Sequence, residues 1–599
     1  MPGKAKDRQR KRRAHAQAAT AKRRTPGQAK AAAELRDLAD RHPQVLAAED
    51  LHVGKGRFHA RLRIATHAMS RVDTGLPISP DYEEVELWFG DTYPNHPPTV
   101  LARHDRFAGY PHVLIGRILC IFLDIDREWH PALGIDGVIA RLIDWIEDAA
   151  ADRFDSRTAL FHPIGGLPPS PRVAGTLVVR QSSPTTARPP VARATIDLRS
   201  PHRSDLIRWG SRTDADPPSA TSALVLRPTN PIPLGLVQVA TMGELVTRVE
   251  QAGGPTTATA LAAAARILPH ITDETLRVVV EVAHPAEPAL TYLACALGPM
   301  PKSIAHLPTI ANHLPALPIG WTAVSDERAE IATRRDHQRP TAAFTDKSIE
   351  LWGCGGLGSW MAEFIARAGA KRLVLRDTGA VTGGLLVRQN YTEDDIGLAK
   401  ASRLATRLRA IGDGIEVIGE PTSALDVLAE GYTPTTDLLI DATINITVAA
   451  RLDEWARTAT THPLIAQVAT DPRSATLGML IIASPDAGVG PATIDDVTWE
   501  AIRDDPTLER FHGFWAPLLK SEQVVPALGC STPTFHGSAA DLACLAGSLV
   551  SLLAGHIGVA ETGTHLIESS HARGPVGGGH HFIAGRSANT RESTQPRKP

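Results

Sequence analysis

The segment Lys347–Asp377, KSIELWGCGGLGSWMAEFIARAGAKRLVLRD, decides how the C-terminal half of this chain is read. An apolar run, SIELW, leads into Gly353-Cys354-Gly355-Gly356-Leu357-Gly358. Apolar residues at three-to-four spacing follow in SWMAEFIARAG, and a second apolar run, RLVLR, ends at Asp377. Strand, glycine turn, helix, strand and acid in that order are the parts of a dinucleotide-type fold. Glycines let the backbone approach phosphates closely, and a helix N-terminus favours their negative charge. An acid after the second strand can accept a hydrogen bond from a ribose hydroxyl. The motif alone does not separate NAD from ATP.

The chain has 599 residues, enough for several domains, with 43% hydrophobic and 21% charged residues, as in a soluble globular protein. A formal net charge of −2 gives no whole-molecule field towards nucleic acid or membrane. Five scattered cysteines make no disulfide framework and fit a reducing, cytoplasmic setting. No apolar run has the ~18 residues of a membrane span, and the basic N-terminus lacks the apolar segment of a secretory signal.

Outward from the glycine motif, residues 323–575 alternate strand and helix, as in a doubly wound α/β sheet. Residues 1–26 read as a basic disordered arm, whose contact with nucleic acid or an acidic partner is the alternative to plain solvation. Residues 27–155 read as one α+β unit: a helix at TPGQAKAAAELRDLADRH, strands at GRFHARLRIAT and EEVELWFG, and a helix at IDGVIARLIDWIEDAA. Residues 156–220, rich in Pro, Ser, Thr and Arg, read as linker and irregular structure, 221–322 as a further α/β segment, and 576–599 as a tail.

Downstream of the glycine motif come Arg388-Gln389, Lys400, and DLLIDATIN with Asp441 at a strand end. Hydride transfer needs no such cations, which disfavours an NAD-dependent oxidoreductase; neutralising a polyphosphate while a carboxylate attacks it does need them. This segment resembles the adenylation domain of the ThiF/MoeB and ubiquitin-activating (E1-like) family. That resemblance implies ATP and Mg2+ as cofactors, and adenylation of the C-terminal carboxylate of a small protein. It implies a nucleotide loop of Gly353, Gly355, Gly356 and Gly358, a ribose contact from Asp377, and phosphate contacts from Arg388 and Lys400. Arg334 and Arg335 stand where the family has an arginine that reaches a partner protomer's ATP, which implies a homodimer. Three positions depart from the family pattern. Gly379 replaces a second acid, Leu385 an asparagine, and Ile444 the later aspartate, which leaves Asp441 as the carboxylate nearest a magnesium ion. Paired zinc cysteines are absent.

In the N-terminal unit, Tyr93-Pro94-x-x-Pro97-Pro98 fixes a stiff turn. Tyr110-Pro111-His112 follows, then Cys120 inside an apolar run, Trp129-x-Pro131 and a helix. This order resembles ubiquitin-conjugating (E2-like) enzymes, of the prokaryotic branch in which Pro-His stands for His-Pro-Asn. The resemblance implies Cys120 as acyl carrier and His112 as its assistant, in place of the usual asparagine. An imidazole N–H can support a developing oxyanion or act as base, or it can only hold the loop. Asp124 and Asp126 can help deprotonate an incoming lysine, although surface solvation suits them better. Cys354, Cys295 and Cys544 read as packing residues, the last two on apolar, helix-like runs. Cys530 lies in a polar loop, PALGCSTPTFHGS, before a helix. There it is either the thiol that an activating enzyme loads from the adenylate or a structural loop cysteine.

A conjugating unit first and an activating unit last resembles the E2–E1 fusion proteins of bacterial CBASS anti-phage operons. That resemblance implies a relay: adenylation, transfer to Cys530, transthiolation to Cys120, then an amide bond to a target-protein lysine. The implied substrate is the C-terminus of a cGAS-like nucleotidyltransferase (CD-NTase) or of a ubiquitin-like protein. It also implies that 221–322 is an inactive adenylation-like subdomain. Two thiols on one chain raise the effective concentration of the second acceptor, provided the linker spans the gap. The alternative is a ThiF/MoeB-type adenylyltransferase for a sulfur carrier, ubiquitin-like protein or peptide, with a non-catalytic N-terminal adaptor.

Overall fold

A computed structural model describes residues 24–54, 57–114, 117–154, 175–184, 188–232, 236, 239–284, 290–300, 310–328, 339–412, 414–459, 462–471, 475–516, 524–525, 532–533, 537–569 and 579–585. The chain divides into two compact units, residues 1–334 and 335–599.

The first unit opens with helix α1 (Pro26–Arg36), where Thr25 and Gln28 form a reciprocal capping box. Strands β1 (Val45–Ala48), β2 (His52–Gly54), β3 (Arg57–Ala65), β4 (Tyr82–Phe89), β5 (Thr99–Ala102), β6 (Val113–Leu114) and β7 (Ile118–Leu119) form an antiparallel sheet of order β1-β3-β4-β5-β7-β6, with β2 on β3. β4 alternates, turning Val85, Leu87 and Phe89 into the core. α2 (Gly134–Ala150) meets them with Ile135, Val138, Ile139, Leu142 and Ile146, the three-to-four spacing of one buried face.

The described part of the region read as linker holds strands. β8 (Thr176–Val179), β9 (Val191–Ser200), β10 (Arg203–Arg208) and β11 (Ala220–Leu226) join β12 (Thr275–Ala283), β13 (Thr291–Pro299) and β14 (Gly320–Asp326). Together they close a barrel of order β10-β8-β14-β13-β12-β11-β9. Alternation splits the strands: Leu177, Ile196, Val225 and Cys295 fill one cluster, while Leu224, Val278 and Ala296 pack on helices α3 (Met242–Gln251) and α4 (Thr257–Ile267). Among the described residues, 221–322 contribute strands to this barrel and form no doubly wound sheet of the kind expected of an adenylation-like subdomain. Cys295 sits on a strand, not a helix, and burial pushes its thiol up to about 12.

The second unit carries β15 (Ser348–Trp352), α5 (Gly356–Arg367), β16 (Arg372–Arg376), α6 (Lys400–Arg409), β17 (Glu416–Glu420), β18 (Leu438–Asp441), α7 (Ile446–Thr458), β19 (Leu464–Thr470) and β20 (Leu477–Ala483). α8 (Pro491–Ile502), α9 (Ala539–Ala554), β21 (Gly563–Glu568) and β22 (His580–Ala584) follow. Among the described residues the sheet has eight strands, ordered β17-β16-β15-β18-β19-β20-β21-β22. The first five run parallel. β22, in the segment expected to be tail, pairs with β21. α9 buries Leu542, Leu545, Ala546, Leu549 and Leu553, whereas Cys544 lies off that stripe and is exposed.

Candidate active site

β15 stands between β16 and β18, so the chain leaves it in opposite directions and opens a crevice at the carboxyl ends of these strands. The glycine loop fills that position. Gly353 takes φ 88°, and a Cβ there would stand 2.7 Å from the Ala442 carbonyl oxygen. At Gly358 a Cβ would stand 1.9 Å from the Gly353 carbonyl oxygen. These two glycines bring α5 against the strand ends, and Gly355 and Gly356 are free to line a cavity of about 450 Å³. Gly355 is the N-cap of α5 and no side chain caps the helix, so first-turn amides are left to a ligand.

Asp377 and Lys400 line the same cavity. Asp377 Oδ2 accepts the Cys354 N–H at 2.7 Å, and Oδ1 accepts the Gly379 N–H at 2.6 Å. The departure at Gly379 has a steric reason: a Cβ there would meet Asp377 Oδ1 at 2.9 Å and Lys400 Nζ at 3.4 Å. Cys354 is fully buried, and burial holds its thiol well above the ordinary range, which fits packing.

Two expected contacts are not in the cavity wall. Arg388 lies outside the lining, with its carbonyl accepting the Trp360 indole N–H at 3.0 Å. The next residue, Gln389, lines the cavity instead, buried and with Oε1 lacking a hydrogen-bond partner among the described residues. Its place beside Arg388 was the signal in the sequence. Asp441 is fully buried and also outside the lining. Its Oδ1 accepts Thr443 N–H and O–H at 2.9 and 2.6 Å, and Oδ2 accepts Gln467 Nε2 at 2.8 Å. Burial outweighs these bonds and raises its carboxyl. Thr443 and Ile444 line the cavity beyond it. The lining thus fits a nucleotide but not a magnesium ion on Asp441, and no group of three His, Cys, Asp or Glu among the described residues can hold a metal. Arg334, Arg335 and Cys530 lie outside the described residues.

In the first unit, Cys120 follows β7 and is half-buried. Its N–H donates to the His112 carbonyl at 2.9 Å, and Sγ lies 3.3 Å from the Phe122 carbonyl oxygen. His112 takes φ 58°, and its ring packs edge-on to Phe154 with centroids 4.9 Å apart. Burial lowers its pKa. The two proline motifs meet where Trp129 Nε1 donates to the Pro94 carbonyl at 2.9 Å. Asp124 caps a short exposed helix, accepting the Asp126 N–H at 3.2 Å. The carboxylate that acts on the thiol is Glu128, which the sequence did not single out. It pairs with Arg141 at 3.1 Å, and after burial its charge is the second cause that raises the Cys120 pKa.

Residues 334–486 match the ThiF family, and residues 56–171 match Prokaryotic E2 family A. The chain joins a prokaryotic E2 domain to a ThiF domain. Over 120 residues it is 32% identical to the tRNA threonylcarbamoyladenosine dehydratase of Escherichia coli (strain K12), covering 19% of this chain and 43% of that protein. Over 141 residues it is 32% identical to the ATP-dependent ubiquitin transferase-like protein Cap2 of Vibrio cholerae serotype O1, covering 22% and 23%. The Bacillus subtilis (strain 168) sulfur carrier protein ThiS adenylyltransferase shares 36% over 100 residues, covering 16% and 28%. The chain spans less than half the length of each of these relatives. Among solved structures, E. coli MccB with ATP aligns at TM-score 0.29 and 15% identity, over 42% of this chain and 67% of that one. No helix among the described residues is long and apolar enough to cross a membrane.

Proposed function

We propose that this E2–ThiF chain activates the C-terminal carboxylate of a partner protein with ATP and passes the acyl group through thioesters to an amine. The observation that carries this is the cavity at the strand ends, where α5 amides, Asp377, Gln389 and Lys400 converge. The substrate carboxylate attacks the α-phosphorus, forming an acyl-adenylate and releasing pyrophosphate. Lys400 and the α5 N-terminus offset the phosphate charge as it shifts. The Cys530 thiolate then attacks the acyl carbon and AMP leaves. Transthiolation moves the acyl group to Cys120, and a lysine amine displaces that thiol to form an amide. With Arg388 out of the cavity lining and Asp441 engaged, the preference for ATP over NAD rests on Lys400. The geometry favours His112 as a positioning residue: its carbonyl holds the Cys120 N–H while its ring is packed on Phe154.

The similarity to Cap2, an ATP-dependent ubiquitin transferase-like protein, supports transfer of a ubiquitin-like C-terminus; a CD-NTase as partner, a role in anti-phage defence and a homodimer rest on the sequence resemblance to CBASS fusions alone. One feature favours the second reading, an adenylyltransferase with a non-catalytic adaptor: the Cys120 thiol is half-buried with Sγ 3.3 Å from the Phe122 carbonyl oxygen, and burial, with the Glu128 charge second, pushes its pKa up.

The test is ATP–pyrophosphate exchange with the full chain and a candidate partner ending in an exposed Gly or Ala. Exchange is expected, to be lost with Lys400→Ala and with the partner's terminal residue deleted. Exchange that persists without the terminal residue sinks the reading. The two readings separate on Cys120: the relay loses its conjugates with Cys120→Ala, whereas the adaptor reading forms no reductant-sensitive adduct on Cys120 and its activity does not need that thiol.

A further inference from the structure

Resting on the nucleotide reading of the cavity, the loop Asp441–Asn445 carries a second conclusion. Asp377 is the carboxylate that lines the cavity among the described residues, and each of its oxygens already accepts a backbone amide. Asp441 is fully buried, with both oxygens engaged by Thr443 and Gln467. Asp441 is shut away from the cavity, and Asp377, although each of its oxygens keeps a lone pair, is the ribose acceptor of the nucleotide reading and so faces away from a cation at the phosphates.

The loop lines the cavity with Ala442, Thr443, Ile444 and Asn445, none of them acidic, and the one on a left-handed backbone is Ile444. It lines the cavity, 73% exposed, at φ 52°. A β-branched side chain in this left-handed region is a genuine outlier, and it persists only where its surroundings fix the backbone. Here a relay of hydrogen bonds fixes it. Thr443 O–H donates to Asp441 Oδ1 at 2.6 Å, Asn445 N–H donates to Thr443 Oγ1 at 3.2 Å, and Asn445 Oδ1 accepts the Thr447 and Val448 amides at 2.9 and 3.3 Å. Aspartate and asparagine tolerate this backbone far better than isoleucine does. The loop thus holds an apolar group over the cavity on a backbone suited to a short polar one.

We infer that this cavity takes its nucleotide without a divalent cation held by the protein. The charge offset comes from Lys400 and the first-turn amides of α5. Arg376 also lines the cavity, but its guanidinium is bound by Glu350 and Glu420.

The test is equilibrium binding of ATP to the full-length protein, in excess Mg2+ and in EDTA. For the parent chain the two Kd values are expected to agree within about threefold; a Kd that rises tenfold or more on chelation, about 1.4 kcal/mol, overturns the inference. Ile444→Asp restores a free carboxylate on a backbone it tolerates and is expected to bind at least about tenfold tighter with Mg2+ than with EDTA. Ile444→Asn relieves the same strain without charge and is expected to behave like the parent. An Ile444→Asp protein that gains no magnesium dependence, or an Ile444→Asn protein that does, also overturns it. ATP binding in neither buffer defeats the nucleotide reading itself, and the inference with it. Thermal melts of both variants check that they fold.

Discussion

Gly358→Ala is the sharpest test of how the glycine loop is built. The added Cβ would stand 1.9 Å from the Gly353 carbonyl oxygen and 3.3 Å from Ala442 Cβ. The carbonyl has little freedom to retreat. Gly353 N–H donates to the Arg376 carbonyl at 2.8 Å, and Gly353 itself is pressed against Ala442. Relief must come from moving α5 away from β15 and β18 by more than an ångström. That helix buries Leu357, Met361, Ala362 and Ile365 in the main core. Forced overpacking of this kind costs about 1–3 kcal/mol, and partial loss of the helix contacts brings the expected total to about 3 kcal/mol. For a unit of this size that lowers Tm by roughly 6–12 °C, read by calorimetry on the full chain. Gly355→Ala is the control. Its Cβ would meet only Gln389 Nε2, at 3.9 Å, so stability should change by less than about 0.5 kcal/mol while nucleotide affinity falls. A Gly358→Ala protein that melts with the parent would show that the helix does not approach the strand ends as described.

Three further outcomes follow from the side-chain environments. Burial pushes the Asp495 carboxyl up to about 6, so its protonated form is the stabilising one: that stability is full below the ordinary carboxyl range and is lost as pH rises through about 6. Asp495→Asn, which keeps an acceptor for the Trp515 indole N–H, should therefore raise stability by about 1–2 kcal/mol near neutral pH and by nothing at acid pH, as denaturant titrations at both pH values will show. Glu128→Gln removes the negative charge that raises the Cys120 thiol, so alkylation of Cys120 near neutral pH should speed up about two- to fivefold; an unchanged rate contradicts the coupling. His112→Asn suits the backbone at φ 58° and keeps the carbonyl that holds the Cys120 N–H, so it should fold and retain conjugation, whereas a loss of more than about tenfold assigns the chemistry to the ring.

Local pattern made much of the fold legible. The run from Lys347 to Asp377 became β15, the glycine turn, α5 and β16 because each step follows from periodicity and glycine geometry. The alternation of β4 and the apolar face of α2 were equally direct. The barrel was hidden because its strands pair across long separations. β8 lies between β10 and β14, and residues around them are rich in Pro and Ser, so nothing local marks closure. Cys295 misled because a two-sided buried strand shows the same unbroken apolar run as a buried helix. The place of the cavity was legible, its lining less so. Asp377, Lys400, Gly353, Gly355 and Gly356 meet in one cavity, with Gly358 outside its lining, and a short 3-10 turn at Gly383–Leu385 precedes the Arg388-Gln389 pair, of which Gln389 lines the cavity. Likewise the hydrogen-bond relay of Thr443 and Asn445 determines that Ile444, and not Asp441, lines the cavity, which no spacing rule predicts.

The measurement that bears most directly on the relay is a gel run with and without reductant, after incubating the full chain with ATP, Mg2+ and a candidate partner. The account predicts reductant-sensitive adducts on Cys120 and on Cys530, and loss of conjugates with Cys120→Ala and with Cys530→Ala. Conjugation that survives both substitutions contradicts it.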